Sequence, residues 1–497
     1  MVEFHNAKNE EKTCSINGVF LHSKYNPSAE GEKFAQNLGA DFSPLCIIVL
    51  EAGLSYSADF LRKRFPQAKL CTIRFVQDFS EYDKKWDFVF YGAEQNFSNL
   101  AEDLYNALGE ENLISSIAID WNPSKNIFPE LNLLCWKEIQ KALLKSRDVM
   151  GTRSYFSKRW LKNSLIFSKN IQSTATIASG NFPVVIAASG PSLKTSLPYI
   201  KQNLSRFFLI AVSSAYSPLI KNGIKPDLVL SSDGGFWAKR HLSFPENTQP
   251  QLFGIEAEGA AFSSIYSKNT IVPLCYEDGI ETEFLKALNC PYMLSKRNGT
   301  IAGTALEFAF SLTSGNIFLC GFDQSPATGF QHTQPNALEL LNAAKDNRIA
   351  TKETRTAKSQ FGSAASLEIY RNWFIFNSPR FSERVHRLSE NYNFEFTLGQ
   401  IQDINWNQFE EIVEKNFTLP KFKKMELEID SEKRKQILLQ TLSSLLNSSV
   451  YEKEIFPMES LLILREINKE KAAQLKEALV QKKQKLFEDL KKLLGEK

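Results

Sequence analysis

Six short apolar runs, Val184–Ala188, Phe208–Val212, Leu228–Ser231, Gln251–Ile255, Thr270–Leu274 and Ile317–Cys320, alternate with stretches of helical periodicity. Continuous apolar runs of this length fit strands buried on both faces, and intervening helices allow neighbouring strands to run parallel. The pattern therefore predicts a mostly parallel sheet covered by helices on both sides. A smaller version precedes it. Leu45–Leu50 reads as a strand, Glu51-Ala52-Gly53 as a turn, Ser57 as the cap of a helix to Phe65, and Leu70–Phe75 as the next strand. A strand at Trp86–Phe90 and helical patterns through Lys145 complete a small doubly wound N-terminal domain.

From about Met425 the composition shifts to Lys, Glu, Leu and Gln with helical spacing, which predicts two or three amphipathic helices. Their apolar stripe at Leu438–Leu446 and Leu461–Leu464 has two uses, packing on the core or receiving a protein acceptor or a second subunit, and packing is the default. The charged Lys469–Lys497 stretch is expected to project into solvent. The fold class is accordingly α/β, with a Rossmann-like domain at 1–150, a central α/β domain at 151–415 and a helical domain at 416–497. The Glu51-Ala52-Gly53 turn resembles the first loop of a methyltransferase but lacks the later glycines that admit a cofactor, so a structural role is expected there.

Composition removes several functions. With 59 Lys+Arg against 56 Asp+Glu, the net charge of +3 supplies no field of one sign, so nucleic acid is not expected as a partner. No run approaches the ~20 apolar residues of a membrane span. The polar start MVEFHNAKNEEKTCSING does not read as a signal peptide. The 7 Cys form no CxxC and no zinc-ligand spacing with His, and read as reduced, mostly buried thiols of a cytoplasmic protein.

Chemistry concentrates where strands end. In Pro183-Val-Val-Ile-Ala-Ala-Ser-Gly-Pro-Ser-Leu-Lys194 a strand passes through the turn Ser189-Gly190-Pro191-Ser192 into a helix, whose free N–H groups attract phosphate. Ala211-Val-Ser-Ser-Ala-Tyr216, Leu230-Ser-Ser-Asp-Gly-Gly-Phe236 and Cys320-Gly-Phe-Asp-Gln-Ser325 follow later strands, and Asn298-Gly-Thr-Ile-Ala-Gly-Thr-Ala-Leu306 opens a helix. Small and polar residues past the carboxyl ends of several parallel strands mark a ligand crevice.

These motifs, in this order, resemble the motility accessory factor (Maf) family of flagellin glycosyltransferases, whose core domain is shared with the pterin diphosphokinase MptE. They are also similar to bacterial sialyltransferases, over roughly residues 150–400. The resemblance implies a sialyltransferase-like central domain. It puts Ser189, Gly190, Pro191 and Ser192 at the nucleotide loop, and Ser213 and Ser214 at a polar strand end. Ser232, Asp233 and Gly234 stand where sialyltransferases have Asn-Pro-Gly. Ala302, Gly303 and Thr304 come at the helix start, and Gly321, Phe322 and Asp323 near the base. It implies transfer of a nonulosonic acid, such as pseudaminic or legionaminic acid, from a CMP-sugar to Ser/Thr of flagellin, with no metal and no cofactor beyond the donor.

Such a reaction needs a base, and His332, in the Gly329-Phe-Gln-His332 loop, is the candidate because imidazole titrates near neutral pH. Asp233 either binds ligand directly or caps its own turn. Lys352, Arg355 and Lys358 could cover donor phosphates as a lid, though a solvated loop is the commoner use of such a charge run; Tyr370 and Arg371 follow on a helix. Two rivals stay open: an MptE-like diphosphokinase using ATP and Mg²⁺, and a non-catalytic assembly factor that binds flagellin.

Overall fold

The computed structural model describes residues 2–243, 250, 252–277, 279–296 and 298–495, with the side chains of all of these except 237 and 359–365. The chain divides into two compact units, Met1–Lys158 with Ser448–Leu486, and Arg159–Asn447 with Phe487–Lys497. No helix among the described residues is long and apolar enough to cross a membrane. All seven cysteines are buried and free.

In the first unit, β1 (Val2–Asn6), β2 (Lys12–Ile16) and β3 (Val19–Phe20) form an antiparallel sheet. A parallel sheet follows with order β6-β5-β4-β7, built from β4 (Cys46–Leu50), β5 (Lys69–Arg74), β6 (Phe88–Tyr91) and β7 (Ser116–Asp120). The period of two along β4 sends Cys46, Ile48 and Leu50 into one core with Leu104 and Leu108, and Ile47 and Val49 into another with Leu61 and Trp121. Both faces are thus covered, as the apolar run required.

The helix after β4 begins at Tyr56, and Ser57 is buried inside it instead of capping it. Ser55 takes the cap position, but its hydroxyl accepts bonds from Arg74 Nη2 (2.9 Å) and Trp86 Nε1 (2.9 Å), so tertiary contacts outbid the local cap. The Glu51-Ala52-Gly53 turn is saturated within the protein. Glu51 receives Arg74 Nη1 (3.1 Å), Gly53 N (3.1 Å), Phe75 N (2.6 Å) and Val76 N (3.2 Å). Arg74 also donates to Gly53 O (2.8 Å), and Leu54 N donates to His22 Nε2 (2.9 Å). The groups a cofactor would need from this turn hold a fully buried ion pair in place, which breaking by half would cost about 3–5 kcal/mol.

The second unit carries one sheet of eleven strands. They are β8 (Ser173–Ile177), β9 (Val184–Ala187), β10 (Phe208–Val212), β11 (Leu228–Ser231), β12 (Leu252–Glu256), β13 (Thr270–Tyr276), β14 (Met293–Ser295), β15 (Ile317–Cys320), β16 (Val385–Leu388), β17 (Gln402–Ile404) and β18 (Phe422–Glu426). The order is β17-β16-β15-β9-β10-β11-β12-β13-β8-β18, with β14 also on β13. Every described pairing is parallel except β18 on β8. All six expected strands are present; residue 251, the expected start of one, lies outside the described residues. From β9 the chain builds outward through β10 to β13, then returns to lay β15 on the other side of β9. The boundary between β9 and β15 is therefore a topological switch point, where open α/β sheets hold ligands.

Two expectations are corrected. Four helices follow β18, Ser431–Asn447, Ser449–Ile455, Pro457–Arg465 and Lys469–Leu493, because Ser448 caps one start and Pro457 forces another. Leu438, Leu442, Leu445 and Leu446 are buried, whereas Leu462 and Leu464 are exposed. The charged stretch at 352–358 is not a loop but the start of the helix Lys352–Phe381, capped by Thr351, and Arg355 is bonded to Asp346 (2.7 Å) and Glu339 (2.7 Å).

Candidate functional site

Two glycines let the loops after β9 and β15 touch at the switch point. Gly190 N donates to Gly321 O (3.0 Å), and a Cβ at Gly190 would lie 2.1 Å from Asp323 Oδ2 and 2.5 Å from Gly321 O. Gly321 has φ +75°, and a Cβ there would meet Ala188 O at 2.2 Å. Across this contact Asp323 accepts from Ser192 N (3.1 Å) and Ser192 Oγ (2.8 Å), and from the Tyr392 hydroxyl. Burial raises the Asp323 pKa, while those bonds and the Arg387 charge oppose the rise. Ser192 and Asp323, both expected to face nucleotide, thus spend their polar groups on each other. Phe322 is fully buried with its ring edge-on to Phe374, and its carbonyl accepts from Arg387 Nη1 (3.3 Å).

Other expected residues line the same carboxyl edge of the sheet. Ser189 Oγ lies 2.8 Å from Ser214 Oγ, joining the ends of β9 and β10, and Ser213 is buried beside them. Pro191 is half-buried within the turn, and its carbonyl accepts from Lys194 N (3.2 Å). After β11, Ser232 is half-buried and Asp233 is exposed, accepting from Gly235 N (2.7 Å), which is the turn-capping role; Gly234 O accepts from Asn163 Nδ2 (3.2 Å).

The helix Ile301–Leu312 opens with Thr300 accepting from Gly303 N (3.0 Å). Asn298 folds over Gly303, since a Cβ there would lie 2.3 Å from Asn298 Oδ1. Asn298 Oδ1, Thr304 Oγ1, Gln324 Oε1 and Asn336 Nδ2 are buried with no hydrogen-bond partner among the described residues. Leaving such an atom unpaired costs about 1–3 kcal/mol, so each is a place where a polar ligand atom would be favoured.

His332 enters by a route the sequence did not reveal. Its neighbour Thr333 donates from N to Ser189 O (2.7 Å) and from Oγ1 to Gly190 O (2.7 Å), fastening the histidine loop to the turn after β9. Burial lowers the His332 pKa, with Glu339 opposing. His241, at the end of the helix Phe236–His241, lies within electrostatic reach of both His332 and Asp233; burial first, then His332, push its pKa down to about 4. Both imidazoles are therefore neutral at pH 7 and hold a lone pair for a proton. Among the described residues no three His, Cys, Asp or Glu side chains converge as a metal site.

A stability consequence follows. A histidine depressed on folding contributes fully above its unfolded pKa near 6.5 and loses that contribution as pH falls toward the folded value, about 4 for His241. Urea unfolding of the protein between pH 7 and pH 4 is expected to lose at most about 3 kcal/mol from this source, and His241→Gln to flatten that loss.

Sequence reasoning missed Thr333, His241, Asn336 and Tyr392. Only His241 carried a signal, as one of 5 His in the chain, shortly after the Ser232-Asp233-Gly234 strand end.

Residues 158–328 match the family model described as 6-hydroxymethylpterin diphosphokinase MptE-like. An uncharacterized protein of Treponema pallidum (strain Nichols) is 29% identical over 321 residues, 64% of this chain and 69% of that protein. The structure of the Maf glycosyltransferase from Magnetospirillum magneticum AMB-1 is similar over 99% of this chain and 92% of its own, with a TM-score of 0.52 and 13% identity. At that identity the likeness is one of fold. The relation to Maf and MptE-like proteins expected from the motif string is borne out: this chain shares the fold of the one, and its residues 158–328 match the family model of the other. The strand-end motifs lie within the matched residues, and His332 lies just beyond them.

Proposed function

We propose that this protein is a glycosyltransferase that moves a nonulosonic acid from a CMP-sugar to Ser/Thr of flagellin, in support of flagellar assembly and motility. The observation that carries the reading is the β9/β15 switch point, where Thr333 fastens the His332 loop to the Ser189-Gly190 turn at the carboxyl edge of the sheet, in a fold shared with a Maf glycosyltransferase.

The chemistry follows from these residues. The bond between the anomeric carbon and the CMP phosphate oxygen breaks, the acceptor hydroxyl oxygen bonds that carbon, and His332 takes the hydroxyl proton. Negative charge grows on the departing phosphate. Ser192 N already serves the Asp323 carboxylate, so the start of the helix Ile301–Leu312, with Thr304 Oγ1 and the Thr300–Gly303 turn, is the better phosphate cradle. Ser189 and Ser214 are then left to the nucleoside, and Asp233 and His241 to the acceptor side of His332.

A second reading is favoured by the family match: a diphosphokinase acting on a pterin with ATP and Mg²⁺. Thermal unfolding separates the two. The transferase reading expects CMP at a hundredfold excess over Kd to add about 2.7 kcal/mol of stability, with no need for Mg²⁺. Stabilisation by ATP with Mg²⁺ and none by CMP would replace it with the kinase.

A further inference from the structure

We infer that Thr333 is a positioning residue that holds the His332 imidazole in the crevice by latching its loop to the turn after β9, an inference that rests on the role proposed for His332. Thr333 is buried and makes two bonds of 2.7 Å, one from its amide to Ser189 O and one from its hydroxyl to Gly190 O. Those carbonyls belong to the same turn that Gly190 N ties to β15. The loop is also braced downstream. Gln334 Nε2 donates to His332 O (3.0 Å), Asn336 N to Gln334 Oε1 (3.2 Å), and Leu338 N to Asn336 Oδ1 (3.0 Å). The histidine is thus carried on a segment fixed to the turn after β9 at Thr333 and stiffened by local bonds through residue 338.

The groups facing His332 are His241 on the helix Phe236–His241 and Glu339 on the helix Ala337–Ala343. Behind these, Arg355 of the helix Lys352–Phe381 pairs with Glu339 and Asp233 lies beside His241. The Thr333 hydroxyl bonds Gly190 O and not these groups, so a change in His332 on its deletion reports the latch. Loosening the loop opens the half-buried ring further to water, and its titration then moves up toward the ordinary histidine value.

The test is the pH titration of the imidazole signals by NMR on the full chain, with His332 assigned through His332→Asn. Thr333→Val keeps the shape and removes the hydroxyl bond; Thr333→Ser keeps the bond. The latch predicts an upward shift of the His332 midpoint by about half a unit or more in Thr333→Val and a wild-type midpoint in Thr333→Ser. An unchanged midpoint in a folded Thr333→Val, or equal shifts in both variants, would overturn it. Should Thr333→Val not fold, Thr333→Ser against Thr333→Ala makes the same comparison. The readout does not need turnover, so a chain that passes this test but transfers no sugar would retain the latch and lose the proposed function. In an active enzyme the expected split is about a tenfold loss of kcat in Thr333→Val with donor KM near wild type.

Discussion

His332→Asn is expected to lower transfer from a CMP-linked donor by about 10²–10⁴-fold while leaving CMP affinity nearly unchanged, which is the range spanned by loss of a general base. Asparagine matches the imidazole in size and polarity but cannot take the proton, so the variant separates proton transfer from packing. In the wild type the burial-depressed pKa of His332 keeps the ring neutral at pH 7, so kcat should rise with pH along an acid limb below the ordinary 6.5 and stay flat above it. The variant should lose that limb together with the activity. Rates and limb both preserved in His332→Asn would remove this residue as the base and leave His241, the other neutral imidazole nearby, as the group to examine.

Gly190→Ala is expected to cost about 3 kcal/mol or more of folding stability, at or above the usual range for overpacking. The added methyl would lie 2.1 Å from Asp323 Oδ2 and 2.5 Å from Gly321 O. Neither can retreat easily. The carboxylate is held by Ser192 N, Ser192 Oγ and Tyr392, and the carbonyl belongs to a glycine at φ +75° that is itself pressed on Ala188 O. Separating the loops to make room would also strip Thr333 from Ser189 and Gly190, so nucleotide binding and His332 placement should fail with stability. Urea unfolding provides the measurement: a wild-type midpoint in Gly190→Ala would contradict the close approach of the two strand ends.

The contrast between these two positions explains what the sequence could reveal. Gly190 announces itself as a glycine between an apolar run and a helix, although what requires it is the approach of Asp323 and Gly321 from the loop after β15. The six central strands were legible for a similar reason: residues such as Val184–Ala187 are buried on both faces and so are apolar throughout. The edge strands were not. Gln402–Ile404 and Phe422–Glu426 are polar and largely exposed, and Lys423 and Lys424 on the latter keep an edge open to water, while Ser173–Ile177, which lies between β13 and β18, hides its strand in a run of Ser and Thr. Side-chain partnerships across the fold left no local mark either. Ser192 and Asp323 each look like ligand residues in isolation, and only the pairing of β9 with β15 makes them partners at a separation of 131 residues. Thr333 is an ordinary threonine in a polar loop until the crossover brings it to Ser189. The charged run at 352–358 read as loop because the pairing of Arg355 with Glu339 and Asp346 depends on neighbours outside the run, although its cap, Thr351 accepting from Thr354 N, is local.

The intact mass of flagellin, compared between cells that carry this protein and cells from which it has been deleted, tests the central claim most directly. The account predicts that flagellin from the deleted cells is lighter by one or more whole nonulosonic acid residues, and that the mass returns with the wild-type chain but not with His332→Asn. Flagellin of unchanged mass in cells that have lost motility would contradict it and point to a protein that binds flagellin without modifying it.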